Sequence, residues 1–156
     1  MNKIILKILI FFLLTSGCGY KVVKYSELAK FDISKIEVSG NNEINFKIKR
    51  KLNSLSKEGS ENRIEIFLKT SKNKSIKEKD SKNEVSKYQI DITANVKVNS
   101  VNKENMLNFT INKSNDFIVG SKQSKTYTIE KKVTDLLIDE TLDEIIDKLL
   151  LELNDI

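Results

Sequence analysis

Eleven consecutive residues, Tyr88 to Val98, alternate between apolar and polar without a break, and no other stretch constrains the fold as tightly. Tyr88, Ile90, Ile92, Ala94, Val96 and Val98 fall on one side, and Gln89, Asp91, Thr93, Asn95 and Lys97, continued by Asn99, on the other. Successive side chains of a strand point to opposite faces, whereas a helix would mix the two sets around its whole circumference. The segment is therefore a half-buried strand, and its length suggests a central place in a sheet.

The flanking segments supply the rest of the sheet and its cover. Lys35 to Ser39 alternates, with Ile36 and Val38 on one side, and reads as a short strand. Gly40-Asn41-Asn42 breaks it and offers a helix N-cap, with Glu43 favourably placed near the positive end of the helix dipole. Ile44, Ile48, Leu52 and Leu55 then recur at helical spacing, which predicts a helix from about 42 to 56 that stops near Gly59. Ile64, Ile66 and Leu68 mark a second strand. Ser71 to Asn83 is polar, carries five lysines and is expected to be a loop. After the long strand, Asn102 to Asn105 forms a turn, and Leu107, Phe109 and Ile111 begin a returning strand. Phe117 to Val119 is expected to continue that strand past a bulge near Asn115 and Asp116. A long helix closes the chain. Thr126 or Thr128 is its expected cap, Glu130 sits in its first turn, and Val133, Leu136, Leu137, Ile145, Ile146, Leu149 and Leu153 form its apolar stripe. The order is β-α-β-β-β-α. It implies an α/β (α+β) two-layer sandwich, with a mixed or antiparallel sheet of about four strands and both helices on one face.

The N-terminus has the three parts of a secretory signal. Lys3 and Lys7 give a positive start, Ile8 to Leu14 an apolar run, and Thr15-Ser-Gly-Cys18 a small-residue end. The apolar stretch is far shorter than the roughly 20 residues a membrane-spanning helix needs. Leu13-Leu-Thr-Ser-Gly-Cys18 resembles a bacterial lipobox, in which the cysteine becomes the acylated first residue, although Thr15 stands where that motif favours leucine. The expected organisation is a lipoprotein signal over 1–17, a lipidated tether over 18–33 and one domain over 34–156. Cys18 is the sole cysteine, so the chain holds no internal disulfide.

The formal charge of the whole chain is +5, and it is unevenly spread. Residues 18–129 hold 22 basic and 13 acidic side chains, whereas residues 130–156 hold 3 basic and 9 acidic ones. A basic body and an acidic helix face follow. An exported basic body can meet anionic headgroups, and no nucleic acid is expected as a partner.

Two segments resemble the LPS-assembly lipoprotein family LptE. Gly17-Cys-Gly-Tyr20 is similar to that family's lipidated start, and Tyr88-Gln-Ile-Asp-Ile-Thr-Ala-Asn95 to its long central strand; the order of elements agrees as well. The resemblance implies an outer-membrane lipoprotein, anchored on the periplasmic side, that plugs the LptD β-barrel, helps it assemble and helps pass lipopolysaccharide to the outer leaflet. A barrel lumen is polar, so Gln89, Asp91, Thr93, Asn95, Lys97 and Asn99 are the candidate barrel-facing residues. An ordinary solvent-facing sheet surface would show the same alternation. Lys72, Lys74, Lys77, Lys79 and Lys82 are candidates for contact with the anionic phosphates of lipopolysaccharide, followed by Lys122 and Lys125. A solvated loop in a lysine-rich chain is the alternative.

Little in the chain suggests catalysis. Histidine is absent, so the residue best suited to proton transfer near neutrality is missing. No glycine-rich phosphate loop appears. Asp139, Asp143 and Asp147, beside Glu140 and Glu144, recur at helical spacing, which reads as a solvated face because one helix face does not converge on a cation. No enzyme activity, cofactor or metal is expected. The Asn-x-Ser/Thr triplets at Asn73, Asn108 and Asn112 carry no weight in so asparagine-rich a chain. The alternative function is that of an unrelated surface or periplasmic ligand-binding lipoprotein. The anchor is directly testable: labelled palmitate should enter the wild-type chain and not Cys18→Ala, and equal labelling of the two would remove the lipid.

Overall fold

The computed structural model describes residues 31–60, 62–101 and 106–154, the last three residues by backbone alone. The signal, Cys18, most of the expected tether, the turn at 102–105 and the side chain of Leu153 lie outside the described residues. Four strands and two helices follow in the expected order: β1 (Phe31–Gly40), α1 (Asn42–Leu55), β2 (Asn62–Lys79), β3 (Val85–Ser100), β4 (Met106–Ile118) and α2 (Gln123–Asn154). The sheet order is β1-β2-β3-β4. β1 runs parallel to β2, and the other two pairings are antiparallel. The mixed sheet and the two-layer α+β architecture are thus as the sequence implies.

Both helices cover one sheet face. Ile64, Ile66 and Leu68 of β2, Ile90, Ile92, Ala94, Val96 and Val98 of β3, and Ile111 and Phe117 of β4 are buried there. Ile44, Ile48 and Leu52 of α1 pack on them, as do Leu137, Ile138, Leu142, Ile145, Ile146 and Leu149 of α2. Phe31, which falls in the expected tether, is 2% exposed and opens β1 four residues earlier than the alternation at Lys35 suggests. A register shift between Ile33 and Lys35 interrupts the period there and hides the strand from a pattern reading. Leu136, placed in the apolar stripe by spacing, is instead 47% exposed, and Val38 is 39% exposed. On α2 the buried side is completed instead by Ile138, Leu142 and Leu150, and by Thr134 and Thr141. Thr141 hides its hydroxyl by donating to the Leu137 carbonyl at 2.7 Å.

Three boundaries differ from expectation. Residues 71–79 are not a loop: β2 continues to Lys79, paired with β3 as far as Val85, and only 80–84 form the turn. The segment lacks apolar alternation because its backbone is held by pairing rather than by burial. Asp80 Oδ1 accepts the N–H groups of Lys82 and Glu84, each at 2.9 Å, and Asn83 takes a φ of 65°. Asparagine tolerates that left-handed geometry better than most residues. The bulge expected at Asn115 and Asp116 is absent, and β4 keeps one unbroken register against β3. Finally, α2 begins at Gln123 rather than at a threonine cap. Thr126 Oγ1 accepts from the Gly120 N–H at 3.0 Å, which ties the strand exit to the helix. Glu130 is consequently beyond the first turn.

The turn between β1 and α1 fixes the parallel crossover. Asn41 caps α1 by accepting from the Ile44 N–H at 3.1 Å, and its own N–H donates to the Thr70 carbonyl at 3.0 Å. Thr70 and Asn45 are buried together, the hydroxyl donating to Asn45 Oδ1 at 2.8 Å. Gly40 lies at φ +93°, and a Cβ there would sit 1.9 Å from the Thr70 carbonyl oxygen. Gly59 also has a positive φ, but faces open space. Gly40→Ala should therefore cost more than the ~1–2 kcal/mol of left-handed strain alone, while Gly59→Ala should cost no more than that. Thermal melts of the two variants read the difference; equal shifts would remove the steric role assigned to Gly40.

Candidate functional site

The sheet face opposite the helices is largely polar on all four strands. In register, Ser39, Lys69, Asn95 and Thr110 lie abreast, followed toward the other end by Ser71, Thr93 and Asn112, and then by Asn73, Asp91 and Ser114. All six barrel-facing candidates, Gln89, Asp91, Thr93, Asn95, Lys97 and Asn99, share this face. Four of them are locked into a cross-strand network. Gln89 Nε2 donates to Asp91 Oδ1 at 2.8 Å and to Ser114 Oγ at 2.6 Å, and Ser114 Oγ donates to Asp91 Oδ1 at 2.8 Å. Thr93 Oγ1 donates to Asn112 Oδ1 at 2.9 Å, and Thr110 Oγ1 donates to Asn95 Oδ1 at 2.8 Å. Such pairs each contribute a few tenths to about 1 kcal/mol to a sheet. Their larger effect is to hold amide and hydroxyl groups in fixed positions facing outward. Asn99 Oδ1 is buried with no hydrogen-bond partner among the described residues.

One aromatic interrupts this polar surface. Phe67 of β2 lies beside Lys97 and Glu37 in register, on the floor of an open groove of about 600 Å³ that Lys69, Asn95, Asn108 and Thr110 also line. The sequence carries a signal for it that the pattern reading passed over. Phe67 is out of phase with Ile64, Ile66 and Leu68, so it had to point away from the core.

The lysines divide into two sets. Lys72 and Lys74 lie on the helix side of β2 and converge on Glu130 of α2, at 3.7 and 2.6 Å. Lys74 Nζ also sits 4.3 Å from the centre of the Tyr88 ring and 5.5 Å from that of Phe117, and these two rings stack at 5.6 Å. Both lysines are thus joined to the fold. Lys77 pairs with Asp116 at 2.7 Å, and Lys79 donates to Asn83 Oδ1 at 3.1 Å. Lys82 is exposed in the turn. The Val119 N–H donates to the Ser86 carbonyl at 3.0 Å, so the chain leaving β4 runs beside the start of β3. This contact brings the exposed Lys122 and Lys125 to the same end of the sheet as the 80–84 turn. Lys87, at that end too, donates to Glu78 at 2.6 Å, and this hydrogen bond pushes its ammonium above the usual lysine range. Among the described residues, no carboxylate pairs with Lys82, Lys122 or Lys125.

Of the acidic stripe, Glu144 pairs with Lys113 at 2.7 Å, and Asp139, Glu140, Asp143 and Asp147 are exposed. Among the described residues no group of three or more histidine, cysteine, aspartate or glutamate side chains is placed to hold a metal ion, and no helix is long and apolar enough to cross a membrane.

No family model and no curated protein matches the chain. Solved structures do share its fold. Rare lipoprotein B from Shewanella oneidensis superposes with a TM-score of 0.58 at 18% identity, covering 77% of this chain and 97% of that one. A Caulobacter crescentus protein gives 0.56 at 11% identity, covering 84% of this chain and 95% of that one. A minor lipoprotein from Acinetobacter baumannii gives 0.51 at 7% identity, covering 76% and 93% respectively. At these identities the likeness is one of fold, and it extends over nearly the whole of each of those chains.

Proposed function

We propose that this chain is an outer-membrane lipoprotein of the LptE type, anchored through Cys18 on the periplasmic side, that plugs an LptD-like β-barrel and assists its assembly for lipopolysaccharide transport. The observation that carries the reading is the open sheet face, which is largely polar, with Phe67 its one aromatic and Met106 and Ile118 at the ends of β4, and is pre-organised by the Gln89–Asp91–Ser114, Thr93–Asn112 and Thr110–Asn95 hydrogen bonds. A wet, polar lumen is matched by such a surface, and an apolar partner is not. Support also comes from the lipobox-like segment and from a fold shared with proteins named as lipoproteins. No chemical reaction is assigned to the chain.

Lipopolysaccharide would be met at the lysine end of the sheet. Lys79, Lys82, Lys122 and Lys125 are the groups best placed to reach phosphate there, because Lys72 and Lys74 are held by Glu130 and Lys77 by Asp116. A lysine near an anionic surface contributes about 1 kcal/mol. Neutralising these four to glutamine should therefore weaken binding to lipopolysaccharide vesicles at least about tenfold with the melting temperature unchanged. Unchanged binding would remove this end from the contact.

The partner is tested by a mild-detergent pull-down with a tag after Ile156. A stoichiometric large β-barrel in the eluate is expected, together with weaker assembly of that barrel when the lipoprotein is depleted. A lipoprotein that elutes alone leaves the second reading, a periplasmic or surface ligand-binding lipoprotein, for which the Phe67 groove is the specific supporting feature.

A further inference from the structure

The outward side of α1 is basic and carries an aromatic ring. Ile44, Ile48 and Leu52 bury one side of the helix, and helical spacing places Phe46, Lys49, Arg50 and Asn53 on the other. All four are exposed, Phe46 by 64%. The Arg50 guanidinium lies 5.6 Å from the centre of the Phe46 ring, so the helix presents an apolar plane and a cation together.

The cations of α1 fall into two groups. Lys47 is held by Asp135 and Glu43, and with Lys51 it lines the cleft toward α2. Lys49 and Arg50 pair with no carboxylate among the described residues. The outward side of α2 is the reverse, with Asp139, Glu140, Asp143 and Asp147 exposed. An anionic surface approaching the helix layer is therefore attracted to α1 and repelled from α2, which tilts the domain onto α1.

The path of the chain brings such a surface within reach. The Lys57 N–H donates to the Phe31 carbonyl at 3.0 Å, so α1 ends beside the point where the described domain begins. Residues 19–30 separate that point from Cys18 and extend at most about 45 Å. The whole of α1 is only about 20 Å long, so a bilayer that holds Cys18 can meet any part of it. The lysine end of the sheet lies at the other end of β2 and is a separate surface.

We propose that Phe46, Lys49 and Arg50 form a lipid-docking face that lays α1 on an anionic bilayer surface. The ring enters the headgroup layer and the two cations meet lipid phosphates, the combination of apolar burial and charge attraction that holds interfacial helices. The position of the bilayer rests on the anchor proposed at Cys18, not on the barrel.

The chain contains no tryptophan, so Phe46→Trp installs a single fluorescent reporter. The full chain carrying it is reconstituted into vesicles of phosphatidylcholine with about 30% phosphatidylglycerol, with or without bromine on the acyl chains. Bromine is expected to lower the emission at least about twofold. In phosphatidylcholine alone, or at about 0.5 M salt, most of this quenching should vanish. Adding Lys49→Gln and Arg50→Gln should abolish it, with circular dichroism unchanged because both sites are exposed. A reporter placed instead at the lysine end by Tyr127→Trp should stay unquenched. Flotation with phosphatidylcholine vesicles reads the anchor separately. A chain that floats while its Phe46→Trp emission ignores bromine overturns the docking face and leaves the anchor standing. A chain that does not float there, yet is quenched on anionic vesicles, removes the anchor and keeps the face. Absence of quenching on anionic vesicles overturns the proposal whether or not the chain floats. So does quenching that is equal for Tyr127→Trp or indifferent to the two glutamines.

Discussion

The ladder between β2 and β3, from Ile64 against Ser100 to Lys79 against Val85, is the element on which the rest of the molecule is built. It is the longest pairing in the sheet, and each outer strand attaches to one of its two members. Its helix-side residues supply Ile64, Ile66, Leu68, Ile90, Ile92, Ala94, Val96 and Val98 to the core. Because strand side chains alternate strictly, burying that face obliges the other face to be the polar one. A slip of one residue would put Asp91, Thr93 and Asn95 under the helices and Ile90, Ile92 and Ala94 in water. One register thus fixes both the core and the surface offered to partners.

The helices lie side by side over this ladder, share its core and are also joined by charge. Lys47 of α1 pairs with Asp135 of α2 and lies 3.7 Å from Glu43 of its own helix. Between the helices runs a cleft lined by Lys47, Arg50 and Lys51 on one side and Asp135, Asp139 and Asp143 on the other. On either side of this cleft along α2, Glu130 meets Lys72 and Lys74, and Glu144 meets Lys113. The polarity seen along the sequence, a basic body followed by an acidic helix, is largely spent inside the molecule. Partly exposed pairs of this kind contribute up to about 1 kcal/mol each, so their main effect is to orient α2 on a sheet already held by burial. A net surface charge read from composition therefore overstates what is offered to an anionic partner.

Burial was legible in the sequence and backbone pairing was not. The alternation from Tyr88 to Val98 and the spacing of Ile44, Ile48 and Leu52 report side chains sorted by a core, and both elements are where the pattern puts them. The extension of β2 through Lys72, Lys74 and Lys77 has no such signature. These residues are fixed by hydrogen bonds to β3 and by Glu130 and Asp116, partners distant in sequence that no local pattern announces. The same reason hid Phe31, separated from its strand by a register shift, and displaced the start of α2, where Thr126 bonds back to Gly120 instead of capping. On the candidate site, the six open-face positions of β3 were readable, because they are simply the complement of the core. Their neighbours on β4 required the register, whereas the outward direction of Phe67 on β2 follows from its phase against Ile64, Ile66 and Leu68.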